Sequence, residues 1–386
     1  MTALLHSHHW YFRVARISLL VVIGWIVIKG YVYAQSQMSD RWSSEWPKTE
    51  FGVTSIDLGE ILSGGPPKDG IPAIDEPEFV SNKEAQQWLD PLEPVIAVNI
   101  NGTARAYPIQ ILMWHEIVND TLADTPLSVT FCPLCNASIV FDRRVDNQLL
   151  DFGTTGKLRK SDLVMYDRQT ESWWQQFTGE GIVGEMTGVK LRRVPAQIIA
   201  YEDFFEAFPA GDVLSRDTGH SRAYGRNPYS GYDRIGQNPF LYGGEVDKRL
   251  PAMERVINIT INNADKIYPF SAFDDNPVIN DAVNKTSVVL FSRKGTFSAL
   301  DKGVIAESRK VPSVTAFERR LGDRELSFTG KEGFIVDEET GSNWNLFGQA
   351  IDGPLKGESL TPADSGVHFA FAWLAFNPDS EIYSAN

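Results

Sequence analysis

Cysteine is the scarcest reactive residue in this chain, with only Cys132 and Cys135 among 386 residues. That count excludes a disulfide scaffold and any four-cysteine zinc site. Histidine is nearly as sparse. Three of the six copies fall within the first nine residues, leaving His115, His220 and His368. Positive charge is in deficit, 36 Lys and Arg against 50 Asp and Glu, for a formal net charge of −14. Most of such a surface would repel a phosphate backbone, so nucleic acid is not an expected partner. No G-x-S-x-G elbow occurs, and Gly153-Thr154-Thr155-Gly156-Lys157 lacks the spacing of a phosphate loop. His115-Glu116-Ile117-Val118-Asn119 misses a zincin motif by its last residue.

Long apolar runs are also missing. The run Ile17 to Ile28 has twelve residues, against the roughly 20 that cross a bilayer as a helix. Arg13 and Arg16 precede it, and Val32-Tyr33-Ala34 follows with small residues of the kind a signal peptidase reads. Lys29 interrupts the extension, although a lysine near a helix end can snorkel. Residues 1–34 therefore read as a signal peptide or a membrane anchor, with membrane contact through 14–34 alone. Either places the chain from about residue 35 outside the cytoplasm, periplasmic or secreted.

What the sequence does have is a globular balance, 42% hydrophobic and 22% charged, and an internal echo. Val95-Ile96-Ala97-Val98-Asn99-Ile100-Asn101 leads to Tyr107-Pro108 and then Val118-Asn119-Asp120. Val256-Ile257-Asn258-Ile259-Thr260-Ile261-Asn262 leads to Tyr268-Pro269 and, at the same spacing, Ile279-Asn280-Asp281. Asp167, Thr170, Ser172 and Trp174 recur as Asp337, Thr340, Ser342 and Trp344. Alternation of period two with many β-branched residues predicts strands. Ile109 to Val118 and Tyr201 to Ala207 are the best short helices. The expected fold is mainly β, an α+β chain with few short helices, in two tandem duplicated repeats forming a pseudo-symmetric unit. Residues 35–90 form an irregular lead-in, 91–211 repeat one, 212–254 an ordered connector over the seam, and 255–386 repeat two.

Both cysteines fall in one C-x-x-C, Cys132-Pro133-Leu134-Cys135, between two strand-like segments. Closing so short a loop stabilises a fold by at most about 2 kcal/mol, so stapling is a weak reason for the pair. A reactive dithiol, a metal held by both thiolates and a pair of inert buried thiols are the open readings. A hairpin turn fits a metal knuckle better than a thioredoxin-like helix start. His115 lies just upstream, and aligning the copies puts Asn276, Ser292 and Gly295 opposite His115, Cys132 and Cys135. The candidate chemistry is thus concentrated in copy one. With His368, two thiolates and two imidazoles would make a Cys2His2 set for zinc, or for copper with help from Met113 or Met165.

Trp114-His115-Glu116-Ile117-Val118-Asn119-Asp120, Thr130-Phe131-Cys132-Pro133-Leu134-Cys135 and Val164-Met165-Tyr166-Asp167-Arg168 together resemble the uncharacterised DUF3179 family. So do Leu214 to Gly219, Tyr224 to Tyr229 and the ending around Phe376-Asn377-Pro378-Asp379. The resemblance carries no settled activity. Some relatives are selenoproteins, and a selenocysteine in place of one of these cysteines would imply thiol redox chemistry.

The leading expectation is an extracytoplasmic thiol-disulfide oxidoreductase with no cofactor, one cysteine attacking and the other resolving the mixed disulfide. His115 would polarise the attacking thiol. Arg216, Tyr224, Arg226 and Tyr229 of the connector would line the approach of a thiol- or disulfide-containing protein or small molecule. The first alternative is a copper- or zinc-binding protein using Cys132, Cys135, His115 and His368. A non-catalytic interaction scaffold is the second.

Overall fold

Short strands joined by tight turns build the protein, which is described here by a computed structural model covering residues 41–384. The mainly β expectation holds. The helices include Ile109–His115, Tyr201–Ala207 and Ala370–Phe376, each only seven residues long. The signal or anchor segment lies outside the described residues, and no helix within them is long and apolar enough to cross a membrane.

Both halves run through one order of pairings. Pro94–Ile100 pairs with Thr103–Pro108, and Arg255–Ile261 pairs with Ala264–Pro269 in the same register, Val95 facing Pro108 and Val256 facing Pro269. Ile117–Leu122 pairs with Thr125–Cys132 as Val278–Val283 pairs with Thr286–Phe297. A third sheet follows in each half, containing Phe152–Arg159 with Asp162–Asp167 and Phe328–Lys331 with Phe334–Asp337. Two-residue loops close these hairpins with positive φ at both positions, such as Ala123 and Asp124 at 46° and 59° and Asn284 and Lys285 at 45° and 67°. That backbone matches the right-handed twist of paired strands.

The Asp-x-x-Thr-x-Ser-x-Trp element is a turn in both halves. Asp167 accepts from Thr170 N at 2.6 Å and Trp174 Nε1 at 2.9 Å, and Asp337 accepts from Thr340 N at 2.6 Å and Trp344 Nε1 at 3.0 Å. Both tryptophans are buried, so they anchor cores.

The halves are not separable domains, because each lends its last helix to the other. Phe204 and Phe208, at the end of the first half, pack with Phe347 and Trp344 of the second. Phe376 stacks on Phe177 of the first half at 4.8 Å, and Trp373 meets the same ring at 5.8 Å. One apolar cluster accordingly joins Ile96, Phe131 and Trp174 to Val256, Phe369 and Trp373. Burying aromatic surface across the boundary ties the halves into one cooperative core.

Three details depart from the expected boundaries. The first helix stops at His115 rather than Val118, because Glu116 adopts φ 59° and Ile117 and Val118 pair with Thr130 and Val129. Ala370–Phe376 is a helix that its run of aromatics concealed. The pairings Ile117↔Thr130 and Val278↔Phe291 also place Arg293, not Ser292, at the position of Cys132.

Residues 212–254 are ordered and mostly irregular, and they bind to a loop of the second half. Asn227 Nδ2 donates to Lys302 O at 3.0 Å, and Gly231 N donates to Asp301 O at 2.7 Å. Asp233 is fully buried and accepts from Arg255 at 2.9 Å and Arg309 at 2.7 Å. Tyr229, Tyr232, Leu241 and Tyr242 then pack onto the main core cluster.

Candidate functional site

Cys132 ends its strand, and Ala137 opposite it begins the next, so Pro133 to Asn136 form a tight hairpin turn. Cys135 N donates to Cys132 O and Asn136 N to Pro133 O, both at 3.2 Å. Asn136 closes the turn at φ 48°, a conformation asparagine tolerates better than most residues. This geometry puts both sulfurs on one side of the turn. There they face a second hairpin tip, Lys160-Ser161, whose φ values are 53° and 69°. Both thiols approach Ser161 O, Cys135 Sγ at 3.6 Å and Cys132 Sγ at 3.9 Å.

The next residue along that hairpin is Asp162. Its carboxylate and the two sulfurs all lie within 4.8 Å of one another, and all three residues are buried. Asp162 Oδ2 accepts from Gln175 Nε2 at 2.7 Å and Phe177 N at 2.9 Å, which fixes the carboxylate, while Oδ1 has no partner among the described residues. Glu116 borders the same cluster, set there by its left-handed backbone at the end of the first helix. Burial raises the Asp162 acid to about 7, against the pull of its two donors. Burial and the neighbouring Asp162 raise Glu116 to about 8. Burial also lifts both thiols above their ordinary range, with Asp162 adding to the effect. No Lys or Arg side chain bonds to any of these four groups among the described residues.

The connector roofs this centre. Tyr229 is held above its ordinary range by burial and then by Glu116 and Cys132, and Tyr232 by burial with Cys135 and Cys132 contributing. Ser161 Oγ donates to Phe240 O at 2.5 Å, and Phe240 N donates to Tyr232 Oη at 3.1 Å, fastening the roof to the hairpin tip. Cys132 is 2% exposed and Cys135 0%.

His115 is placed elsewhere. Its Nδ1 meets Pro72 O at 2.7 Å and therefore carries the proton, so Nε2 accepts from Tyr224 Oη, also at 2.7 Å. With its proton committed to His115 Nε2, Tyr224 in turn accepts from Thr218 Oγ1 at 2.6 Å. Burial lowers His115 to about 4. With both nitrogens engaged, this imidazole is not set to polarise a thiol, and it does not join the three-residue ligand cluster. His368 also stays outside that cluster, packed between Phe177 and Trp373 with Nε2 donating to Asn258 Oδ1 at 3.2 Å.

The four connector residues expected at the approach divide likewise. Only Tyr229 borders the cysteines. Tyr224 belongs to the His115 chain, and Arg216 donates to Gln110 Oε1 at 3.0 and 2.5 Å while lying over the Trp88 ring. Arg226 is exposed, and its carbonyl accepts from Trp114 Nε1. Sequence reasoning missed Asp162, Glu116 and Tyr232. The available signal for Asp162 was its place directly after a two-residue strand turn, and for Glu116 a charged residue directly after a short apolar helix.

Residues 68–380 match the family described as Protein of unknown function (DUF3179). No curated protein and no solved structure matches the chain.

Proposed function

Since the chain belongs to the DUF3179 family, whose description assigns no activity, we propose from the geometry that Cys132, Cys135 and Asp162 bind a transition-metal ion. One observation carries this reading: three anion-forming ligand atoms lie within 4.8 Å of one another in a buried place. Buried ionisable groups of one sign are costly unless paired with a cation. A divalent ion would supply the missing charge, hold the thiols as thiolates and offset the desolvation of Asp162. Two sulfurs with one carboxylate suit zinc, and the sulfurs also suit copper. Glu116 stays outside this ligand set, although its charge acts on Cys132. In this reading the ligands are Cys132, Cys135 and Asp162, without His115 or His368, and the chain acts outside the cytoplasm.

The test is the native mass and metal content of the purified chain, prepared without chelators. One zinc or copper per chain is expected, lost in Cys132→Ser and Asp162→Asn and kept in His115→Gln. Metal-free protein after loading with zinc and with copper(I) would sink the reading.

A second reading, thiol-disulfide exchange, draws support from Asp162 itself. A carboxyl group at about 7 beside two thiols can take the proton of whichever one attacks. Closing the Cys132–Cys135 bond would release two protons and two electrons, the electrons reducing a partner disulfide to two thiols. Burial of both sulfurs under the connector weighs against it, because a partner disulfide must reach one of them. A metal-free chain two hydrogens lighter than the dithiol, restored by mild reductant, would favour exchange over metal binding.

A further inference from the structure

A cleft of about 590 Å3 lies between the halves, apart from the cysteine turn. Its charged residues are divided by side. Lys190 and Arg193 come from the first half, and Asp265 and Asp364 come from the second. Lys190 is exposed, so its ammonium is available to a ligand. Arg193 spends one donor on Phe177 O at 2.8 Å. Across the cleft Arg193 and Asp364 form an ion pair at 3.6 Å, too long for a hydrogen bond, which a ligand carrying both charges would replace with one contact to each partner. A guanidinium has five N–H groups, so most of its capacity is unspent.

Beneath the second-half wall runs a chain of oriented bonds. Thr260 Oγ1 donates to Asp265 Oδ1 at 2.6 Å, Asn258 Nδ2 donates to Thr260 Oγ1 at 3.2 Å, and His368 Nε2 donates to Asn258 Oδ1 at 3.2 Å. This order leaves His368 Nδ1 as a bare acceptor. It is buried and has no partner among the described residues, and the same holds for Ser138 Oγ. Both residues line the cleft.

We propose that this cleft binds a small zwitterion, a free amino acid or dipeptide, with its carboxylate toward Lys190 and Arg193 and its ammonium toward Asp265 and Asp364. Two cations facing two carboxylates match a ligand that carries both signs. A simple anion or cation would satisfy one wall and be repelled by the other. The volume is in the range of small-molecule sites, and the apolar lining from Ile139, Val140 and Leu191 accommodates a side chain.

The test is calorimetric titration of the full chain with L-alanyl-L-alanine, with L-alanine, with N-acetyl-L-alanyl-L-alanine amide and with glucose. The free dipeptide or the free amino acid is expected to bind, and capping both ends should weaken the dipeptide at least tenfold. Lys190→Ala and Asp265→Asn change partly exposed positions and should each weaken the zwitterion severalfold without loss of fold. Circular dichroism checks the fold of each variant. No binding of either zwitterion at millimolar concentration would overturn the proposal. Equal binding of the capped peptide, preference for glucose, or insensitivity to both substitutions would overturn it as well.

Discussion

The same hairpin ends differently in the two halves of this molecule. After Thr125–Cys132 the first half turns within Pro133 to Asn136, and the return strand starts at Ala137. In the second half the equivalent strand runs on to Phe297, its partner begins at Lys310, and residues 298–309 close the hairpin. The short turn gathers two sulfurs against a neighbouring hairpin tip. The long one carries the carbonyls of Leu300, Asp301 and Lys302 that hold the connector. One position of the shared hairpin thus carries the cysteine turn, and its counterpart holds the connector that covers that turn. The connector is the physical link, tied to the long loop by Asp233 and laid over the short turn by Tyr229 and Tyr232.

Breaking that link should give the largest effect. Asp233 neutralises Arg255 and Arg309 at once and is 0% exposed. Asp233→Ala leaves two guanidinium groups without their buried partner, which costs about 3–5 kcal/mol by the usual penalty for breaking a buried pair. Urea unfolding would measure the loss. The same variant should release the roof, so Cys132 and Cys135 should react faster with iodoacetamide under native conditions. Each 1.4 kcal/mol taken off local opening raises that rate about tenfold. An alkylation rate unchanged in a folded Asp233→Ala chain would separate the connector from protection of the thiols.

A smaller effect tests another unequal pair. His368 faces Val256 across its strand pair as Ile199 faces Val95 in the first half, so an imidazole and an isoleucine occupy equivalent buried places. Burial lowers His368 to about 3, below its unfolded value of 6.5. The unfolded chain therefore binds the extra proton first as pH falls. Stability from this residue is complete above pH 6.5 and drains away toward pH 3 at up to about 1.4 kcal/mol per pH unit. His115, lowered to about 4, acts in the same direction. His368→Gln keeps a donor for Asn258 and cannot titrate, so its denaturation midpoint should fall less between pH 6.5 and 4.5 than that of the parent. Parallel curves for the two proteins would show that His368 does not contribute to the acid sensitivity.

How far the sequence could be read follows from the distance over which each signal acts. Strand alternation is local, and so is the Asp-x-x-Thr-x-Ser-x-Trp turn, whose four side chains bond within seven residues of each other. Both were legible. The two cysteines were legible because rarity and spacing marked them. Asp162 was not, since it reaches the sulfurs only through a separate hairpin whose turn, Lys160-Ser161, lacks the glycine that announces such turns. His115 misled for the converse reason. Nearness in sequence suggested nearness in space, but the left-handed backbone at Glu116 turns the chain, and the two adjacent side chains serve different networks. The exchange of terminal helices between halves had no local signature at all.

The smallest expected effect belongs to a residue that sequence placed at the site. Arg226 and Tyr229 are three positions apart on the connector, yet Tyr229 borders Glu116 and Cys132 while the Arg226 side chain is exposed. What Arg226 contributes to the fold is its backbone, which bridges to Val304 and accepts from the Trp114 indole at 3.2 Å. Both contacts survive truncation of the side chain. Arg226→Ala should therefore stay within about 0.5 kcal/mol of the parent in urea unfolding, as exposed substitutions usually do. Its metal content and its iodoacetamide rate should equal those of the parent. Tyr229→Ala, by contrast, removes a ring packed on the core cluster and should speed alkylation of the thiols. Equal behaviour of the two variants would mean that the roof acts through its backbone ties to the long loop, and that the ring itself adds no cover.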